Sequence, residues 1–574
     1  MPLPANPCAA ELAHAIAATL GVPAEDVKID PPPRPELGDF AVPCFALAKL
    51  TKEAPPAVAA RLARDLPRAG LVIDATAAGP FVNVRIDRTA AFAIAIDGAC
   101  DRRRLVPDLG GGAVVCIDYS SPNISKHLAY HHIRSTMLGH ALVQLHQALG
   151  YRVVRINHLG DWGTTHGMLL AAHERWGHEY PTIDVTALNE LYVRFRAAMK
   201  EEPGLDAVAR AWFKRLEDGE PTARARWQQF RDVSLAEFEA VYRVLGVAFD
   251  DANGESFYED KMPEILELCA ARGLSTVSEG ALVFELPGEK TPLLLKTQDG
   301  TTLYATRDLA AALYRQRTYH FARSLYVVDR GQSLHFKQLF AALGLLGFDW
   351  AGRCQHVPFG LVRFGGRKTS TRGAVGGEGR FLLTDVITEA AERVRPTIAA
   401  NHPDLPATEV DATAQTVGVG AVVFANVLPQ RDRDVDFDWD KVVSIAGDSG
   451  PYLHYTLARC WSIERKAGEV VDGAAELARL THDAEWAVAR RLLDFGDHVA
   501  RAAAGCEPHV VAHYLLELAG DFSRWYTLGN GDAALRVLCE DRETRRARLA
   551  LVHAVKRALT RGLSLLGLAE VTRM

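Results

Sequence analysis

Two short apolar runs, "AVVCIDYS" (Ala113 to Ser120) and "YRVVRINHL" (Tyr151 to Leu159), flank a stretch whose apolar residues recur at helical spacing from about His131 to Leu149. Strand, helix, strand in that order is a βαβ unit. A connection of that length does not close a hairpin, so the strands pair in parallel while the helix crosses one face. This feature sets the class as α/β with a parallel sheet. Further strands are expected in "SLYVVDR" and "RCQHVPFGLVRF".

The rest of the chain is read around that layer. Residues 1–108 alternate helical stretches with strand-like runs across the stiff "DPPPRPELGD", which describes a small α+β domain. "DLGGGA" is a flexible junction by composition. Residues 109–384 carry the sheet, with a charged helical insertion at about 175–270, and residues 385–574 read as an all-α bundle. With 574 residues there is room for three domains, each with its own core. A net charge of −6 argues against a broadly basic nucleic-acid coat, although local basic faces remain possible. The nine cysteines form no CxxC pair, so neither a disulfide framework nor a thiolate zinc site is expected, and a reducing cytoplasm fits. The N-terminus has no basic leader region, and no apolar run looks long enough to cross a membrane, so no membrane partner is expected.

"SPNISKHLAYHHIRST" (Ser121 to Thr136) occupies the position where parallel sheets bind ligands, just past a strand end and at the start of the crossover helix. Free N–H groups at a helix start suit phosphate, and histidines with Lys126 would add donors where charge develops during phosphoryl or adenylyl transfer. Two other readings stay open. The stretch could be a polar loop without a ligand, or His127 and His131 could share a helix face around zinc. No third zinc ligand is evident nearby, so no protein-bound metal is expected.

"DYSSPNISKHLAYHHIRSTMLGHAL" resembles the signature region of class I arginyl-tRNA synthetases. The likeness continues in order through "YRVVRINHLGDWGT", "LYATRDLAAALYR", "LYVVDRGQSLHFKQLF", "GPYLHYTLARCWSIERKAG" and the tail "ALVHAVKRALTRGLSLLGLAEVTRM". "RPELGDFAVPCFALAK" with "AGPFVNV" resembles that family's N-terminal domain, so the likeness covers nearly the whole chain. It implies a Rossmann-type nucleotide-binding catalytic domain, an N-terminal tRNA-contacting domain and a C-terminal anticodon-binding bundle. It also implies L-arginine, ATP with substrate-bound Mg²⁺, and tRNA(Arg) as partners of a cytoplasmic, monomeric ligase.

The matching positions supply candidate residues. A guanidinium calls for a planar fork of acceptors, because bidentate bonding separates it from lysine's point charge. The resemblance implies Tyr304 and Asp308 for that group, Asn123 and Gln332 for the α-amino and carboxylate end, and Asp118 as a second ion-pair partner. His335 is open between a capping or core role and a functional one. For ATP it implies Ser120, the motif positions Ala129, His131 and His132, and Lys368. His132 keeps the motif's last histidine, while Ala129 and His131 replace its first histidine and its glycine. Losing one such imidazole donor removes about 1.5–3 kcal/mol, or ten to a few hundredfold in rate. Lys368, Ser370 and Arg372 of "GGRKTSTRGAVGG" match the mobile loop that closes over pyrophosphate, and Lys126 stands in for that loop's missing second lysine. Trp525 and Tyr526, among arginines, are candidates for stacking on unpaired tRNA bases. Two alternatives accompany the ligase reading. One is a diverged relative that uses activated arginine for a non-translational acceptor, in a biosynthetic or resistance pathway. The other is a non-catalytic tRNA-binding protein.

Overall fold

The computed structural model describes residues 4–101, 106–288, 291–297, 304–364, 367–368, 382–471 and 475–574. At its centre is a four-stranded sheet in the order Cys354–His356, Arg323–Tyr326, Val114–Asp118, Arg152–Ile156, with every neighbouring pair parallel. The crossover helix between the first two strands in sequence is His132–Ala148. Alternate residues of the central strand enter different cores. Val115 and Ile117 join the one that holds Ile133, Met137 and Leu142, and Cys116 joins the one that holds Leu309, Tyr326 and Leu339. A strand covered on both faces reads as a continuous apolar run, which is why it was visible in sequence. The chain leaves Val114–Asp118 toward one side and returns on its other side at Arg323–Tyr326, which makes the gap between these strands the switch point where ligands bind.

The insertion consists of the helices Thr164–Trp176, Val185–Glu201, Leu205–Glu217 and Pro221–Leu245, packed around Trp162, Trp212, Trp227 and Phe230. It is followed by an antiparallel sheet of Ser275–Ser278, Ala281–Phe284 and Leu293–Lys296 that the sequence reading did not anticipate. The N-terminal domain has the antiparallel order Phe40–Pro43, Phe81–Ile86, Val72–Ala78, backed by helices. Its last helix, Arg88–Cys100, lies on the C-terminal helices Asp483–Leu493 and Arg542–Leu565. Phe92 meets Trp486 edge-on at 5.6 Å and Arg88 pairs with Asp483 at 2.9 Å.

Among the described residues beyond 385, every regular element but one is a helix. Val435–Phe437 pairs in parallel with Val362–Phe364 and ties the start of this region to the catalytic layer. The helix Ala407–Val427 is long and apolar enough by composition to cross a membrane, which corrects the reading that no such run exists. Most of it is buried against Leu383–Asn401 and Gly450–Ala467, and a helix enclosed by neighbours is apolar all round for that reason.

Candidate active site

The loop after Val114–Asp118 is held by a chain of hydrogen bonds. Ser120, Ser121 and Ser125 all have positive φ (68°, 49° and 65°), a conformation that non-glycine residues adopt only when their surroundings enforce it. The Ser120 N–H donates to Ser135 Oγ (3.0 Å), which in turn donates to the Val327 carbonyl (2.8 Å). Ser120 Oγ lies 2.8 Å from both Thr136 Oγ1 and Tyr242 Oη. The Ser121 N–H donates to Asn157 Oδ1 (3.1 Å), and the Ser125 N–H donates to Ser234 Oγ (2.8 Å). Asn123 then forms a parallel bridge with Gly160, where a Cβ would lie 1.9 Å from Asn123 Oδ1, so glycine leaves room for the Asn123 amide in this position.

This loop and the helix start form one wall of a cavity of about 250 Å³ at the sheet's switch point, lined by Ser120, His131, His132, Asp329 and Gly360 among others. Burial, with His131 beside it, pulls the His132 imidazole down to about 3, so the ring is neutral at physiological pH. Its Nδ1 lies 3.0 Å from the Ala129 N and 3.1 Å from the Ala129 carbonyl oxygen, a contact that fits either neutral tautomer. The side chain that replaces the motif's glycine does not enter the wall as an isolated group: the His131 ring lies 4.1 Å from that of His132, tilted by 35°. Ala129 is buried, and its backbone bridges Leu382. Just inside the helix, the buried Arg134 donates from Nη2 to the carbonyls of Gln430 (3.1 Å) and Arg431 (3.0 Å), fixing the helix start against the segment before Val435.

Lys126 and His127 face the insertion. The Lys126 ammonium sits 5.3 Å from the Tyr192 ring centre, and His127 is held by Glu237 (2.8 Å) and Thr186 (3.2 Å). The helix begins only at His132, so His127 and His131 do not share a helix face, and the geometry of the zinc reading fails.

A second cluster lies beside the sheet edge, on the helices Tyr304–Tyr319 and Ser333–Leu345. His335 Nε2 is 2.7 Å from Asp308 Oδ2, the Tyr304 ring lies over His335 with centres 4.3 Å apart, and the Tyr304 hydroxyl reaches Gln332 Oε1 at 3.5 Å. Burial, followed by the charges of Asp308 and Glu255, pushes the Tyr304 phenol well above its usual range. Glu255 is itself raised to about 7, chiefly by burial, with Asp308 and Asp161 adding to the rise and Arg307 opposing it. Tyr304, Asp308 and Gln332 are therefore brought together as the sequence implied. His335, whose role the sequence leaves open, belongs to the same cluster. Glu255 and His158 also belong there and were missed. The signal for His158 was positional: it stands two residues past Ile156, at the ligand-binding end of a parallel strand.

Two candidates are corrected. Asp118 is not open to a substrate: its Oδ2 pairs with buried Arg315 at 2.8 Å and its Oδ1 accepts from Ser121 Oγ at 2.8 Å, so the carboxylate neutralises an internal cation. Trp525 is fully buried inside the bundle and has no face for a base, whereas Tyr526 is half-buried with the Arg459 guanidinium 4.8 Å from its ring centre. Ser120 lines the cavity, with its hydroxyl 2.8 Å from those of Thr136 and Tyr242. Ser370 and Arg372 lie outside the described residues, and Lys368 is described only through its backbone pairing with Arg363.

Comparison with known proteins follows the same lines. Residues 7–86 match a family model described as the arginyl tRNA synthetase N terminal domain, residues 101–439 match tRNA synthetases class I (R), catalytic domain, and residues 453–574 match the DALR anticodon binding domain. The chain is 42% identical over 555 residues, 95% of each sequence, to an arginine–tRNA ligase of Exiguobacterium sibiricum. It is 41% identical over 553 residues, again 95% of each, to one of Streptococcus pneumoniae. Among solved structures it is similar to Thermus thermophilus arginyl-tRNA synthetase, with a TM-score of 0.83 and 28% identity over 98% of this chain and 99% of that one.

Proposed function

This chain belongs to the class I arginyl-tRNA synthetases, and from that premise we propose how its residues divide the reaction. It is an arginine–tRNA ligase. The arginine carboxylate attacks the α-phosphorus of ATP and releases pyrophosphate. A ribose hydroxyl of the tRNA's terminal adenosine then attacks the adenylate carbonyl and releases AMP. Neither the fold nor the comparisons favour the diverged or non-catalytic alternatives.

Asp308 takes the guanidinium in this reading, with Tyr304 and His335 forming the wall that orients it. Asn123 and Gln332 hold the α-amino and carboxylate end toward the cavity at the switch point. The neutral His132, in the tautomer whose Nδ1 accepts the Ala129 N–H, donates from Nε2 to a phosphate oxygen as charge builds in the transition state. Its depressed pKa supports this, since a donor that titrates near 3 keeps one protonation state across the working range. His131, beside it, offers a second imidazole on the side where Ala129 has none. Lys126, Lys368, Ser370 and Arg372 serve the pyrophosphate, with Mg²⁺ carried in on ATP. Tyr526 is the remaining aromatic candidate for tRNA contact. Domain limits of 1–108, 109–384 and 385–574, a monomer, and a cytoplasmic location complete the proposal.

The His335–Asp308 contact beneath Tyr304 carries the assignment, because it places a half-buried carboxylate where a planar cation can pair with it. The test is tRNA-dependent pyrophosphate exchange with arginine. Asp308→Asn should raise the KM for arginine ten to a few hundredfold, the equivalent of about 1.5–3 kcal/mol for a charge-assisted hydrogen bond, while the KM for ATP changes little. An unchanged arginine KM would reject the assignment.

A further inference from the structure

The guanidinium assigned to the cluster around Asp308 needs more acceptors than that one carboxylate offers, and Glu255, the cluster's other carboxyl, has Arg307 Nε 3.5 Å from its Oε2. A guanidinium has five N–H donors in one plane, and a carboxylate fork satisfies two of them. Asp118, the second carboxylate implied by sequence, is closed off by Arg315 and Ser121. Asp308 has one oxygen already bonded by His335, and Gln332 Oε1 is shared with the Tyr304 hydroxyl.

His158 has the unspent capacity. Both its ring nitrogens are out of water, and neither makes a hydrogen bond among the described residues. Its Nε2 lies 3.8 Å from Asp308 Oδ1, the oxygen that His335 does not use, which is beyond direct hydrogen-bonding reach but close enough for both atoms to contact one bound group. The Tyr258 ring packs 5.5 Å away and the chain is pinned two residues later by the Asn123–Gly160 bridge, so the imidazole is held in place at the sheet edge. A polar ring buried without a partner is unfavourable unless something supplies one, and unsatisfied groups of this kind concentrate at functional sites.

We propose that His158 is a further arginine-recognition residue: an imidazole nitrogen whose lone pair accepts an N–H from the edge of the guanidinium that Asp308 leaves uncovered. The assignment rests on Asp308 being the guanidinium's carboxylate.

The test compares H158F, which removes the acceptor, with H158N, whose amide oxygen restores one, alongside D308N, in tRNA-dependent pyrophosphate exchange with arginine and ATP varied separately. H158L replaces H158F if the larger ring prevents folding. The expected result is an arginine KM raised about tenfold or more by H158F, an ATP KM within twofold of the parent, and recovery of at least part of the loss in H158N. An arginine KM within twofold of the parent in H158F, while D308N raises it, overturns the role of His158 and leaves the Asp308 assignment standing. An H158N no better than H158F, or an ATP KM that rises together with that of arginine, overturns it too. If D308N itself has no effect on the arginine KM, the pocket assignment fails, and this inference fails with it.

Discussion

Asp118 ends the apolar strand Val114–Asp118 and Asp308 stands near the start of the helix Tyr304–Tyr319, and what separates their roles is what lies across from them. Asp118 meets Arg315 in the interior, whereas Asp308 meets two histidines and a tyrosine at a sheet edge. Removing one partner of a buried ion pair leaves the other charge uncompensated, so Asp118→Asn should lose about 3–5 kcal/mol of stability in denaturant unfolding. Any enzyme that remains folded should show a smaller rise in arginine KM than Asp308→Asn, and the opposite ranking would return Asp118 to the substrate. Residue type and order were legible; which cation takes which carboxylate is a tertiary fact with no sequence signal. Trp525 is different, because the signal existed. Val511, Leu515, Leu518, Phe522 and Trp525 recur at helical spacing and all are buried, so the period placed the ring inside while the neighbouring arginines suggested RNA.

At the scale of elements, the helix Pro221–Leu245 acts as a brace for the catalytic loop. Ser234, Glu237 and Tyr242 lie along it at three- to five-residue steps and reach Ser125, His127 and Ser120 respectively. The helix thereby holds two of the three serines with positive φ directly, Ser120 and Ser125, and the third, Ser121, through Asn157, whose Nδ2 donates to the Tyr242 hydroxyl at 3.3 Å. Ser234→Ala should leave the buried Ser125 N–H without its acceptor, which costs about 1–3 kcal/mol in unfolding experiments. It should also lower kcat/KM for ATP more than for arginine, since the loop forms the phosphate-side wall; equal effects on both would show that the brace is only structural. The βαβ unit and the long insertion helices were legible because their periods persist over many residues. The antiparallel strands Ser275–Ser278, Ala281–Phe284 and Leu293–Lys296 were not, since four residues each give too little alternation to separate a strand from a loop. Val435–Phe437 is shorter still and exists because Val362–Phe364 offers it an edge.

Over the whole molecule, buried histidines set the direction in which pH acts. Burial is the leading cause that lowers His132 to about 3 and His140, His146, His166 and His454 to about 4. Below the ordinary value of 6.5 the unfolded chain takes up these protons and the folded chain does not, so stability falls as pH drops from 6.5 toward 4, by about 1.4 kcal/mol per pH unit for each histidine. Glu255, raised to about 7, opposes this with a single proton over part of the same range. His553 acts on the other side. It lies on the helix Arg542–Leu565, against which the N-terminal helix ending at Cys100 is packed, and hydrogen bonds to Cys100 and Glu464 raise it to about 9. Between 6.5 and 9 the folded chain holds that proton and the unfolded chain does not, so the contribution is complete below 6.5 and lost as pH rises through 9. The melting temperature should therefore peak near pH 6.5, with a steeper acid flank. His553→Gln should lower the peak and flatten the alkaline flank between pH 6.5 and 9 while leaving the acid flank as it was. An alkaline flank unchanged in that variant would mean that the proton on His553 does not stabilise the docking of the first domain on the last.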